Sequence, residues 1–128
     1  MPVVVTDHPE AAADLIRPYA ALYVGGMGSR EQNFYNQLAV RMGYAEAAAK
    51  VQDLYLDRKI RDAAAAVPHD FIARTSIIGN KAQITERIRE YAAAGVGTLS
   101  ISPYVGDLES GIATLRTVAE AFDDAGVA

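Results

Sequence analysis

The residues best suited to chemistry lie in a few short stretches. Gly25-Gly26-Met27-Gly28-Ser29 puts three glycines within four positions and ends on a hydroxyl. Such a run lets a backbone approach a ligand closely, and it equally makes a tight bend followed by a helix cap. Both readings stand at this point. The spacing of Gly25, Gly26 and Gly28 does not fit the GxGxxG dinucleotide fingerprint, and no GKS or GKT tripeptide supplies a P-loop. Gly79-Asn80-Lys81 joins a β-branched run to a helical pattern, a corner that serves as an anion cradle or as a plain turn.

Several other chemistries lack their parts. The chain has no cysteine, which removes disulfides, zinc–thiolate sites and thiol nucleophiles. His8 and His69 lie far apart, each beside a proline, so no histidine-based metal site is expected. His69, after Pro68, reads as a residue at a helix start rather than a catalytic group. Ser29 has no histidine and acid in a recognisable triad order. Asn33 and Tyr35 either face a pocket or pack, and Asp123-Asp124 reads as solvated charge. No proton-transfer residue emerges.

Composition narrows the classes further. With 51% apolar and 22% charged residues over 128 positions, the chain is ordinary globular material of about one domain. A net charge of −4 without any basic cluster argues against nucleic-acid binding. No apolar run approaches the roughly 20 residues that span a bilayer. Met1 to Asp7 lacks the basic and long apolar regions of a secretory leader, so a cytoplasmic protein is expected.

The elements that must position these residues follow from periodicity. Val3-Val4-Val5 is a short strand, and Asp7 with Pro9 opens a helix whose apolar spacing runs from Ala11 to Tyr23, kinked or divided at Pro18. Tyr23 to Ser29 reads as a loop, and Ser29 with Gln32 as a capping box for a helix reaching Met42, closed by Gly43. Alanine-rich helices follow at 45–56 and 58–67. Thr75 to Ile78 reads as a strand, Lys81 to Ala94 as an amphipathic helix closed by Gly95, Thr98 to Ser102 as a strand, and Leu108 to Ala125 as a helix. Residues 1–68 are thus mostly helical and residues 69–128 a βαβα unit, within one domain. A βαβ order implies parallel strands, and two or three of these cannot make a buried parallel sheet alone. Either the chain is a piece of a larger barrel or copies of it complete one another.

The stretch Leu22-Tyr23-Val24-Gly25-Gly26-Met27-Gly28-Ser29-Arg30-Glu31-Gln32-Asn33-Phe34-Tyr35-Asn36 resembles a segment of the luciferase-like monooxygenase superfamily, in particular its branch that uses the deazaflavin coenzyme F420. Val51-Gln52-Asp53-Leu54-Tyr55-Leu56, Ala65-Ala66-Val67-Pro68, Ile78-Gly79 and Ala94-Gly95-Val96-Gly97-Thr98-Leu99 follow in the order that family shows. The resemblance implies an α/β fold: the C-terminal part of a (β/α)₈ TIM barrel, helix-rich, with a helical insertion, the last βα units and two to three short parallel strands.

It also implies hydride transfer between F420, or alternatively FMN, and an organic substrate, by a chain incomplete for catalysis when isolated. Ile78-Gly79-Asn80-Lys81 would form the loop after the seventh strand and Ser102-Pro103-Tyr104-Val105-Gly106 the loop after the eighth, where barrels commonly hold phosphate. Arg74 resembles a basic residue that some members set against the coenzyme phosphate, a task suited to its fixed charge and forked donors. The expected coenzyme contacts are therefore Arg74, Gly79, Asn80 and Lys81, with Gly25, Gly26, Gly28 and Ser29 as a second set. The alternative is a non-catalytic oligomeric module whose strands pair with another chain, either a second copy or the missing barrel half.

Overall fold

The computed structural model describes residues 1–127. The chain forms two compact units: residues 1–12 with 75–128, and residues 13–74.

The first unit is built on a three-stranded parallel sheet of order β2-β1-β3. Its centre is β1 (Pro2–Val5), the β-branched run read from the sequence, with Val3 opposite Ile77 and Val5 opposite Gly79 of β2 (Ile77–Gly79). On the other side β1 pairs with β3 (Ser102–Pro103), Pro2 opposite Ser102 and Val3 opposite Pro103. Consecutive strands β2 and β3 are therefore not neighbours; both flank β1. Two helices follow these strands: α6 (Lys81–Ala93) after β2 and α7 (Leu108–Ala125) after β3. Val3, Ile77, Ile84, Ile88, Val118 and Ala121 form their common buried core. The stripe read on α6 accounts for this, since Ile84 and Ile88 fall on one face four residues apart. Asp107 caps α7 by accepting from the Ser110 amide at 2.8 Å, and that bond holds its carboxyl below the ordinary 3.8.

Two strand expectations shift. Thr75 does not open a strand; it closes a helix, α5 (His69–Thr75), and β2 starts at Ile77. The run Thr98 to Ser102 does not form a five-residue strand either: only Ser102 and Pro103 pair. The Ser102 and Tyr104 amides donate to Met1 and Val3 carbonyls at 2.9 Å, while Pro103 between them has no N–H to extend the ladder. Leu99 and Ile101 still pack on the core, so the apolar half of that pattern is used without the pairing.

The second unit is helical. It takes the later part of α1 (Pro9–Ala21), a π-helical turn at Leu22–Gly26, α2 (Phe34–Arg41), α3 (Ala45–Leu56), α4 (Ile60–Ala66) and most of α5. Ile16, Val24, Ala39, Ala48, Val51, Ala63, Val67, Phe71 and Ile72 are buried in it. Pro18 does not divide α1, which continues to Ala21.

Residues 23–26, read as a loop, instead widen the helix into the π turn. α3 comes close at this turn: a Cβ on Gly25 would lie 2.5 Å from the Tyr55 Cβ and 3.0 Å from the Val51 carbonyl, and one on Gly26 2.4 Å from the Tyr55 ring. Nor does Ser29 cap a helix. The N-cap is Asn33, whose side chain accepts from the Asn36 amide at 2.9 Å, and α2 starts four residues later than Ser29–Gln32 suggests, at Phe34 rather than Arg30. Ser29 and Gln32 meet only through their backbones, at 3.2 Å. α3 has the span read from the sequence; Asp57, Arg58 and Lys59 separate it from α4, which runs Ile60–Ala66 rather than 58–67.

Candidate functional site

In a parallel α/β sheet the place for chemistry is the rim at the carboxyl ends of the strands, where loops and helix amino termini converge. In the first unit that rim consists of the residues just after Val5, Gly79 and Pro103. Thr6 donates its amide to the Gly79 carbonyl at 2.9 Å, tying the ends of β1 and β2 together. The Thr6 hydroxyl accepts from the His8 amide at 2.9 Å, which shapes the exposed step from β1 into α1.

The rim's best-formed corner is Gly79-Asn80-Lys81. Asn80 caps α6 by accepting from the Gln83 amide at 3.0 Å, while the Gln83 carboxamide accepts from the Asn80 amide at 2.9 Å. This reciprocal box fixes the first turn of α6 with its positive dipole end toward the rim. Gly79 has φ 153°, and a Cβ there would lie 2.5 Å from the folded-back Gln83 Oε1, so the corner requires a residue without a side chain. Lys81 does not reach outward alone. Its Nζ lies 3.2 Å from Glu120 and 3.0 Å from Asp124 on α7, and hydrogen bonding to Asp124 and then Glu120 raises its pKa.

The loop after β3 begins at Tyr104 rather than Ser102, because Ser102 and Pro103 are the strand itself. The sequence reading overlooked Thr6 to His8. Nothing in that segment marks it as rim until β1 is known to be the central strand, though Asp7-His8-Pro9 after a β-branched run was the available signal.

The other candidate residues belong to the helical unit. Arg74 lies in the last turn of α5. Its Nη1 donates to the Tyr44 hydroxyl at 3.2 Å and to the Met42 carbonyl at 3.4 Å, and its guanidinium lies 5.7 Å from the centre of the Tyr44 ring. The Tyr44 hydroxyl in turn donates to Asp70. The bond to Tyr44, then the field of Asp70, raises the Arg74 pKa further.

Gly25 and Gly26 serve the close approach of α3, as described above. Gly28 has φ 157°, and a Cβ there would lie 2.1 Å from the Gln32 carbonyl oxygen. The Ser29 carbonyl accepts from the nearly buried Gln52 at 3.4 Å, and Arg30 pairs with Asp53. Asn33 is 1% exposed; its Nδ2 donates to the Tyr23 and Val24 carbonyls at 3.0 and 3.2 Å. Asn36 Nδ2 donates to Val24 and Ala48 carbonyls at 3.0 and 2.9 Å. These carboxamides bond the Tyr23 and Val24 carbonyls of the π turn, and Asn36 also ties that turn to the Ala48 carbonyl of α3. Tyr35 packs edge-on against Tyr23 with centroids 4.7 Å apart. Every residue from Gly25 to Asn36 with a described partner is thus engaged within its own unit.

With this geometry in place, comparison with known proteins gives the class. The luciferase-like monooxygenase family matches residues 1–98, and the chain belongs to that family. Among curated proteins it is similar to a Mycobacterium tuberculosis protein provisionally named a coenzyme F420-dependent oxidoreductase, with 33% identity over 100 residues. That match covers 78% of this chain but 29% of the relative, so the chain spans under a third of that protein's length. No solved structure matches. No helix among the described residues is long and apolar enough to cross a membrane.

Proposed function

We propose that this chain forms the coenzyme-holding end of a luciferase-like (β/α)₈-barrel oxidoreductase that uses the deazaflavin coenzyme F420, with FMN as the alternative. In this reading β2–α6 and β3–α7 correspond to the last βα units of the barrel and the helical unit to its insertion, although β1 here stands between two strands that a closed barrel sets side by side. A cytoplasmic setting belongs to the same reading. Membership of the family and the name of the M. tuberculosis relative support it. The single observation that carries it is the Gly79-Asn80 corner: a side-chain-free residue at a strand's carboxyl end, leading into a helix whose first turn is locked by a reciprocal cap. The cap itself takes the Asn80 and Gln83 amides, and the Lys81 and Ala82 N–H groups, with the helix dipole, are the donors that suit a phosphate-bearing coenzyme.

The bound coenzyme supplies the hydride chemistry, and the protein binds, orients and excludes water. Gly79 and the first turn of α6 would hold phosphate through the backbone. Asn80 keeps that turn in shape. Lys81 adds positive charge for which phosphate competes with Glu120 and Asp124. In the helical unit, Arg74 would engage an anionic group through its fork, and the Gly25–Ser29 stretch would act as a second backbone contact. Three strands stand where a barrel has eight. The chain by itself would therefore hold part of a coenzyme site and not the whole hydride-transfer pocket.

A fluorescence titration with F420, and with FMN in parallel, tests this. Saturable binding of F420 and none of FMN is expected. Binding of neither by a folded sample overturns the coenzyme reading. Such a sample with a solution mass above that of the 13.7 kDa chain would favour the second reading, an oligomeric module completing its sheet through another chain. That reading is motivated by the edges of β2 and β3 that face away from β1.

A further inference from the structure

Helix α7 carries more apolar surface than its own unit covers. Its buried residues are Thr114, Val118 and Ala121, the last two in the core with Val3 and Ile77. Leu108, Ile112 and Leu115 lie roughly a third of a turn away around the helix and are 80%, 44% and 47% exposed, with exposed Ala119 continuing the row. Val105, also exposed, sits beside Gly111 and widens this patch at the helix start. Steps along the row alternate four, three and four residues, which is the seam of a two-helix coil and not the scatter of single apolar residues on an ordinary surface. Two charges flank it, Glu109 and Arg116, seven residues apart and therefore on the same side of the seam. Both are exposed, and neither side chain has an ion-pair partner among the described residues.

We propose that this row is the contact through which two copies of the chain pair, α7 against α7 in antiparallel order about a two-fold axis near Ile112. A two-fold contact needs a self-complementary surface, and the row supplies one. Turned about its middle, Leu108 faces the partner's Leu115, and Glu109 meets the partner's Arg116, twice per dimer. A parallel pair would instead bring Arg116 to the flank carrying Gly111, which has no charge to offer. Antiparallel order also sets the two helix dipoles in opposition. The occupant is a second copy because the charge order along the row matches its own reverse. A single helix face falls short of the roughly 800 Å² per partner of a standard interface, so the dimer forms only at high protein concentration. The proposal depends neither on the coenzyme reading nor on pairing of the open strand edges.

Sedimentation equilibrium from about 10 μM to about 1 mM protein reads the pairing directly. The parent is expected to move from 13.7 kDa toward twice that mass. Ile112→Glu places a good helix former at a half-exposed position, and it is expected to raise the dissociation constant at least roughly tenfold with an unchanged circular dichroism spectrum. Glu109→Arg and Arg116→Glu are each expected to raise it about 5-fold, because a two-fold contact loses two pairs at once, and the double swap is expected to restore the parent value. Dimerisation that survives Ile112→Glu overturns the inference and assigns the contact to another surface, the open strand edges among them. Swaps that change nothing, or single losses that the double swap does not recover, overturn the antiparallel order. A parent that stays monomeric throughout overturns the inference and leaves the row for a polypeptide of different sequence.

Discussion

Asn33→Ala is expected to destabilise the helical unit by roughly 2–4 kcal/mol, measured as a lowered midpoint of urea unfolding with an unchanged slope. The estimate combines two losses. The Tyr23 carbonyl loses its side-chain donor in a place where Asn33 is 1% exposed, and Val24 loses one of its two, keeping the bond from Asn36 at 3.0 Å. The first turn of α2 loses its cap, worth about 1 kcal/mol by itself. Asn33→Asp separates the two terms. It retains the acceptor for the Asn36 amide but turns a second acceptor toward the carbonyls, so its cost should be no smaller than that of alanine. A variant Asn33→Asp as stable as the parent would show that the carbonyl bonds contribute nothing.

The second large effect concerns the glycines, and here geometry sets an order. Gly28→Ala combines φ 157° with a Cβ placed 2.1 Å from a backbone oxygen, which no side-chain rotation relieves. Gly25→Ala meets the Tyr55 Cβ and the Val51 carbonyl, both close to the α3 backbone. Gly26→Ala meets ring atoms of Tyr55, which can swing aside. Overpacking typically costs about 1–3 kcal/mol. Gly26→Ala should therefore fall near 1 kcal/mol and the other two at or above the upper end, read from thermal or chemical unfolding of each variant. Equal, small effects at all three positions would mean that the glycines serve ligand approach rather than packing.

These two predictions bear on what could be read before the structure. The helices α6 and α7 and the strand β1 were legible because each carries its own periodicity and its own stops. Their parallel arrangement followed from the βαβ order. The π turn was not legible: a glycine cluster reads as a loop, and Tyr55, the reason for Gly25 and Gly26, lies a full helix further along. For Asn33 the sequence leaves pocket and packing open, because its partners, carbonyls of a widened helical turn, exist only once that turn forms. Thr75 to Ile78 reads as a strand, which hides the helix ahead of it; Phe71 and Ile72, buried in the helical unit, carry Arg74 on α5. The run Thr98 to Ser102 has strand chemistry, but it lies at the edge of the sheet and only its last residue, with Pro103, pairs with β1. At the Gly79-Asn80 corner the sequence left turn and cradle equally open, and the reciprocal Asn80–Gln83 cap is what favours a rigid anion-facing turn.

That corner is where this chain is proposed to meet its coenzyme, and amide NMR during a titration with F420 tests the proposal most directly. Saturable shifts of the Gly79, Asn80, Lys81 and Ala82 amides, tracking one binding curve, are expected. Saturable shifts confined to other parts of the chain, with these four amides unmoved, would contradict it.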